Sequence, residues 1–171
     1  LRNLKDKEEI MNNCEFLILD PSKYIGAWHK LFKNNNPIFI EIGMGMGKFI
    51  YTQALNNPDI NYVGIEKYSS VLIRAVEKQN ELKLPNLKFI RMDAEGICDI
   101  FGKDEVDKIY LNFSGPWPKD RHAKRRLTSK EFFARYDKIL KAEGEVHFKT
   151  DNRDLFGFSV EEVGNANWNL V

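Results

Sequence analysis

Between Lys119 and Arg126, six of eight residues can carry positive charge: Lys119, Arg121, His122, Lys124, Arg125 and Arg126. Five of them are Lys or Arg, against the single Asp120, so the segment carries a net +4 while the whole chain carries +1. Charge this local implies a local polyanion, and a phosphate backbone is the first candidate. A charge run by itself is usually a solvated face. This one follows directly on Pro116-Trp117-Pro118, which follows the apolar run Lys108-Ile109-Tyr110-Leu111. A buried strand therefore ends in a stiff corner that projects the cations, and that placement favours a phosphate partner over plain solvent.

A second constellation lies earlier, in Glu41-Ile42-Gly43-Met44-Gly45-Met46-Gly47. Glycines between a strand and its helix let the backbone turn tightly and approach a ligand without a Cβ in the way. A phosphate-binding P-loop needs Gly-x4-Gly-Lys-Ser/Thr, but Gly47-Lys48 is followed by Phe49 and lacks the earlier glycine. The dinucleotide fingerprint Gly-x-Gly-x-x-Gly also fails, since its sixth position from Gly43 is Lys48. What remains, acidic-x-Gly-x-Gly-x-Gly, has the look of an S-adenosylmethionine loop; a plain strand-to-helix turn is the competing reading. The next strand ends separate the two. Glu66 closes the second strand, 23 residues after Gly43, where a carboxylate can accept from both hydroxyls of a ribose. Asp93 follows the third strand, where it can accept from an adenine amino group. Three such features in order at successive strand ends are hard to obtain by chance.

Strand-like and helix-like runs alternate along the chain, which predicts a parallel α/β sheet. Strands are expected at 38–42, 61–65, 87–91, 108–112 and 144–149, with Trp168–Val171 opening a sixth. Helices are expected at 47–55 and 68–82. One more runs from the Asp20-Pro21 start to Phe32, and another from a Thr128/Glu131 capping box to about Ala142. Asp151 is expected to cap a last helix. The 171 residues suit one domain, 1–171, with residues 1–36 as an N-terminal extension and helix. Two cysteines without Cys-x-x-Cys spacing, and His29, His122 and His147 without ligand spacing, predict no metal site and a reducing cytoplasm. Leu1–Ile10 is charged and reads as no secretion leader, and no apolar run is long enough to span a membrane. The chain opens on Leu1 rather than Met and is read as a processed or trimmed form.

The residues from Asn112-Phe113-Ser114-Gly115-Pro116-Trp117-Pro118-Lys119 through Arg121-His122-Ala123-Lys124-Arg125-Arg126-Leu127, with His147-Phe148-Lys149-Thr150-Asp151-Asn152, resemble the bacterial tRNA (guanine-N7)-methyltransferases. The resemblance runs from about Asn3 to Val171. It implies a Rossmann-like class I methyltransferase sheet with helices on both faces, and S-adenosylmethionine as cofactor. It implies methyl transfer to N7 of the variable-loop guanine of tRNA. Cofactor contacts would fall at Glu41, Gly43, Gly45, Glu66, Asp93, Ala94 and position 115. Lys119, Asp151 and the run Arg121, His122, Lys124, Arg125 and Arg126 would meet guanine or RNA, with Asp151 and position 115 at the chemistry. Trp117 either stacks a base or anchors the corner. His147 reads as structural.

Two departures stand out. The family carries Asp where this chain has Gly115, and it continues beyond Val171 with a last strand and a Thr-x-x-Glu segment. Without that strand, the edge of 144–149 is expected to pair with another chain through Glu145–Phe148, or the segment after about Phe158 to lack order. The assembly expected is a monomer or a homodimer. Two rival readings stay open: a catalytically weak or inactive tRNA-binding protein of the same fold, and a nicotinamide-dependent oxidoreductase.

Overall fold

Pro37 ends a polar Asn-rich turn, and the isoleucines that follow drive the first strand, β1 (Ile38–Ile42), into the centre of the molecule. The computed structural model describes residues 4–171, so the first three residues of the expected N-terminal extension lie outside the described residues. Around β1 stand β2 (Asn61–Glu66), β3 (Leu87–Arg91), β4 (Val106–Asn112) and β5 (Leu140–Lys149). Their order is β3-β2-β1-β4-β5 and every pairing is parallel. The chain winds one way from β1 through β2 to β3, then returns to β1's other side with β4. Ligands of such sheets bind at the carboxyl ends of the strands beside that switch in order, and here this means the ends of β1 and β4.

Two packed layers hold the sheet. On one face α1 (Leu4–Asn12), α3 (Lys48–Asn56) and α4 (Ser69–Leu82) bury Met11, Ile50, Leu72 and Val76 against Tyr62 and Phe89. On the other, α2 (Trp28–Phe32) and α5 (Lys130–Ile139) bury Trp28, Phe132 and Tyr136 against Ile40, Ile65 and Ile109. The last helix, α6 (Arg153–Asn165), packs on α5 and buries Leu155. No helix among the described residues is long and apolar enough to cross a membrane.

Four expectations are corrected. The helix expected from Pro21 to Phe32 is broken into a 3₁₀ turn, Pro21–Tyr24, and α2, because Gly26 takes φ +72°. The Glu105 carboxylate fixes this break by accepting the N–H groups of Gly26 (2.8 Å), Trp28 (3.2 Å) and Gly102 (2.9 Å). The cap of α5 is Ser129, whose Oγ accepts the Phe132 N–H at 3.2 Å, while the Thr128 hydroxyl is buried against Ser159 Oγ. Asn152 rather than Asp151 caps α6, accepting the Leu155 N–H at 2.9 Å, and α6 carries regular helix past Phe158 to Asn165. Finally, Trp168–Val171 forms no strand. Asn167 turns the chain at φ +60°, the Trp168 N–H returns to Val163 O at 2.9 Å, and the indole stacks on Phe133 at 4.9 Å.

β5 begins earlier than its apolar pattern suggests. Val106 pairs with Leu140 and Lys108 with Glu145, so the residues between bulge outward. Gly144 makes this possible, since a Cβ there would sit 2.9 Å from Lys141 O and 3.1 Å from Asp107 O. Among the described residues β5 has a strand partner only on its β4 side.

Candidate active site

The glycine loop leaves β1 with three left-handed residues, Gly43 (φ +74°), Gly45 (φ +58°) and Gly47 (φ +83°), a sequence of turns that side chains with a Cβ rarely adopt. The N–H groups of Gly43 and Met44 both bond to Ile65 O, at 2.9 and 3.1 Å, which ties the loop to the end of β2. Glu66, next along β2, organises the rest. Its Oε1 accepts the Gly45 N–H and its Oε2 the Tyr68 N–H, each at 2.9 Å. Each carboxylate oxygen has a second lone-pair site, so Glu66 can hold its loop and still accept two hydroxyls. At the end of β3, Asp93 Oδ1 accepts the Glu95 N–H at 3.0 Å and Oδ2 pairs with Lys67 Nζ at 3.2 Å. The Glu95 N–H, ahead of the Lys67 charge, holds the Asp93 carboxyl below its ordinary range.

These strand ends surround a cavity of about 580 Å³, lined among others by Gly43, Glu66, Asp93, Ala94, Phe113, Ser114, Gly115, Trp117 and Arg125. That volume suits a small molecule, for which roughly 300–1,000 Å³ is usual. Nothing lies within 4 Å of where a Cβ would stand on Gly43 or Gly45. Ser114 Oγ is buried without a protein partner. A nucleoside with a polar tail fits this donor and acceptor set.

Glu41 is the most buried carboxylate of the site, with 2% of its surface exposed. It stands one residue before the end of β1, where Asn112 at the end of β4 donates to its Oε2 at 2.9 Å. Its Oε1 is buried and unpartnered. Burial pushes its carboxyl up to about 7, with Glu66 adding to the rise and the Asn112 bond opposing it. Glu41 and Gly45 sit behind the cavity wall rather than on its lining. Sequence reasoning missed Asn112 as Glu41's partner, because only the β1–β4 pairing brings positions 41 and 112 together. It also missed Ser114, Lys67 and Tyr68, which carry no spacing signal.

The corner after β4 is built against backbone preference. Phe113 (φ +55°) and Trp117 (φ +44°) are both left-handed. Arg126 clamps it: Nε donates to Pro116 O (3.0 Å) and Trp117 O (3.1 Å), and an Nη donates to Trp117 O (2.8 Å). The same guanidinium stacks on Phe158 at 4.4 Å and is 9% exposed. Arg126, expected among the RNA contacts, thus braces this corner in the folded chain. Arg125 lies over the Trp117 ring at 5.2 Å and lines the cavity, and His122 meets the same ring edge-on at 5.5 Å. Lys119, just before the 3₁₀ turn Asp120–Arg125, and Arg121 and Lys124 on it are exposed and lie outside the cavity. Asp151 is exposed beyond β5 and does not line the cavity. Gly115 takes no left-handed φ, and a Cβ there would meet only Trp117 Nε1 at 3.8 Å.

A family model described as "Putative methyltransferase" matches residues 35–169. The tRNA (guanine-N(7)-)-methyltransferase of Lachnoclostridium phytofermentans is 59% identical over 99% of this chain and 79% of that protein. The protein of the same name from Bacillus cytotoxicus is 52% identical over 90% of this chain and 70% of its own length. Among solved structures, an antibiotic-related methyltransferase superposes with a TM-score of 0.65 over 88% of this chain and 79% of that one. At 21% identity, that likeness is one of fold. By sequence, the chain belongs to the tRNA (guanine-N(7)-)-methyltransferase family.

Proposed function

We propose that this chain transfers the methyl group of S-adenosylmethionine to N7 of the variable-loop guanine of tRNA. One observation carries the reading: one cavity is lined both by nucleoside acceptors, Glu66 and Asp93, and by the corner of the cationic loop, Trp117 and Arg125. When bound, the cofactor supplies an electrophilic methyl carbon on a sulfonium centre. Glu66 accepts from ribose hydroxyls while it holds the glycine loop, Asp93 accepts from the adenine amino group, and Gly43 leaves room for the tail. Guanine N7 already offers a lone pair, so no proton leaves before attack and no general base is required. The protein's task is alignment, which contributes up to about 7–11 kcal/mol in well-oriented reactions. Lys119, Arg121, Lys124 and Arg125 bind the phosphates that carry the base to the cavity.

The product base is a cation, and a carboxylate facing it would stabilise the developing charge. Position 115 lines the cavity but offers none in this chain. That supports a second reading, a tRNA-binding member of the family with slow transfer. Radiolabelled methyl transfer to total tRNA, with calorimetry for S-adenosylhomocysteine, separates the two. Binding with transfer establishes the first reading. Binding of S-adenosylhomocysteine, and of tRNA in a filter assay, with slow or no transfer establishes the second, and no cofactor binding removes both.

A further inference from the structure

We propose that Phe113 is the stacking platform for the guanine that receives the methyl group; this rests on the function proposed above. Phe113 ends β4 directly, with φ +55° and 64% of its surface exposed. Bulky residues rarely take that backbone conformation, and strain of this kind gathers at functional sites. Exposing an aromatic ring adds a second unfavourable feature at the same residue. Neither is repaid by packing, since Phe113 belongs to neither core cluster and no ring or cation stacks on it among the described residues. Its N–H donates to Lys149 O at 2.8 Å across the β4–β5 junction. Phe113 lines the same cavity as Glu66 and Asp93 on one hand and Trp117 and Arg125 on the other.

Trp117 is the obvious alternative platform, yet its ring already carries Arg125 on one face and His122 at its edge. Tyr68 carries Lys67 Nζ over its ring at 5.7 Å and Phe132 is buried against Tyr136, so among the described aromatics that line the cavity Phe113 is the open face. Its chemistry also suits the reaction. A neutral guanine stacks on a ring, and a guanine gaining positive charge at N7 interacts more strongly with the same ring's electron-rich face. Such an interaction grows on the way to the transition state, which is the condition for accelerating the step.

The test uses the full chain and a tRNA with either guanine or 2-aminopurine, a purine whose fluorescence stacking quenches, at the target position. Phe113→Leu keeps bulk and removes the π face. It should slow single-turnover methylation between about fivefold and a hundredfold, the range for losing one base–aromatic stack. Phe113→Tyr should restore the rate. In the complex the 2-aminopurine should be brighter with Phe113→Leu than with the parent chain, a signal that does not depend on turnover. S-adenosylhomocysteine affinity should not change. Phe113→Gly should melt at the same temperature or higher, since glycine accepts the positive φ and no packed ring is lost. Unchanged rate and fluorescence in Phe113→Leu would overturn the proposal. So would an equal loss of S-adenosylhomocysteine affinity, which would place the ring against the cofactor, or a marked fall in melting temperature for Phe113→Gly. Failure of the parent chain itself to bind S-adenosylhomocysteine would instead defeat the underlying reading, and the platform with it.

Discussion

Glu41 has one carboxyl oxygen satisfied by Asn112 and one buried without a partner. The unfolded chain ionises it near 4.5, whereas the folded chain keeps the proton to about 7. Between those values the folded state holds the extra proton, so this contribution to stability is full below about 4.5, is lost as pH rises toward 7, and is flat above. Its size is on the order of 3 kcal/mol. Glu41→Gln, which cannot ionise, should remove that slope and be more stable than the parent at pH 8 in urea melts without cofactor. Equal slopes for the two proteins would show that Glu41 is already charged in the fold. Glu66 is wired to two N–H groups, those of Gly45 and Tyr68. Glu66→Ala should weaken S-adenosylhomocysteine binding by about 1.5–3 kcal/mol, the usual worth of hydrogen bonds to a charged group, and calorimetry reads this directly. At position 115 the backbone accepts a side chain without strain. Gly115→Asp should therefore fold normally and raise single-turnover methyl transfer on the order of 100-fold, comparable to adding one preorganised electrostatic group, with tRNA affinity little changed. Equal rates would show the carboxylate to be dispensable in this chain.

Within the element from Pro116 to Arg126, neighbouring arginines have opposite jobs. Arg125 faces the cavity and Arg126 faces the protein. Charge along a sequence does not reveal this, because both residues sit in one run and the turn between them is set by where the carbonyls of Pro116 and Trp117 fall. Replacing Arg121 and Lys124 by Ala should flatten the logarithmic salt dependence of tRNA binding by about two units if each neutralises one phosphate. Arg126→Ala should instead lower folding stability by about 1–3 kcal/mol, the penalty for leaving buried carbonyls unmet. A slope that ignores the double substitution would mean that these cations face something other than RNA. The same contrast explains which elements were legible. β1, β2 and β3 are runs of apolar residues between turn residues, and their bounds are visible without tertiary information. The break at Gly26 is not, because Glu105 that fixes it stands 79 residues away. Both helix caps fell one residue later than the sequence suggests, at Ser129 and Asn152. At each pair two adjacent residues can cap, and packing against Ser159 removed Thr128 from the choice. Trp168–Val171 has strand-like composition, but a tryptophan with Phe133 beside it gains more by stacking than by extending. For the site, Glu66 and Asp93 were legible from spacing, while Asn112 and Ser114 required the sheet.

Both core layers of the molecule are anchored on one sheet, and the cavity touches the ends of β1, β2, β3 and β4 at once. A ligand there reports on the whole domain, because opening the cavity wall means separating strands that bury Ile40, Val63 and Ile109 completely. Binding to the folded state alone adds RT ln(1 + [L]/Kd) to stability, about 2.7 kcal/mol at a hundred times Kd. For a chain of this size each kcal/mol moves the midpoint by about 2–4 °C, so S-adenosylhomocysteine at that excess should raise the melting temperature by about 5–10 °C. NAD(P) should leave it unmoved, because the sixth position of a dinucleotide turn starting at Gly43 is Lys48 rather than glycine. Glu66→Ala should reduce the shift at the same ligand concentration, since the loss of affinity enters the logarithm directly. A shift with NAD(P) and none with S-adenosylhomocysteine would move this chain from methyl transfer to hydride chemistry. Shifts of equal size with both would show the cavity to be a generic nucleoside cleft, in which Glu66 and Asp93 recognise only the sugar and the base.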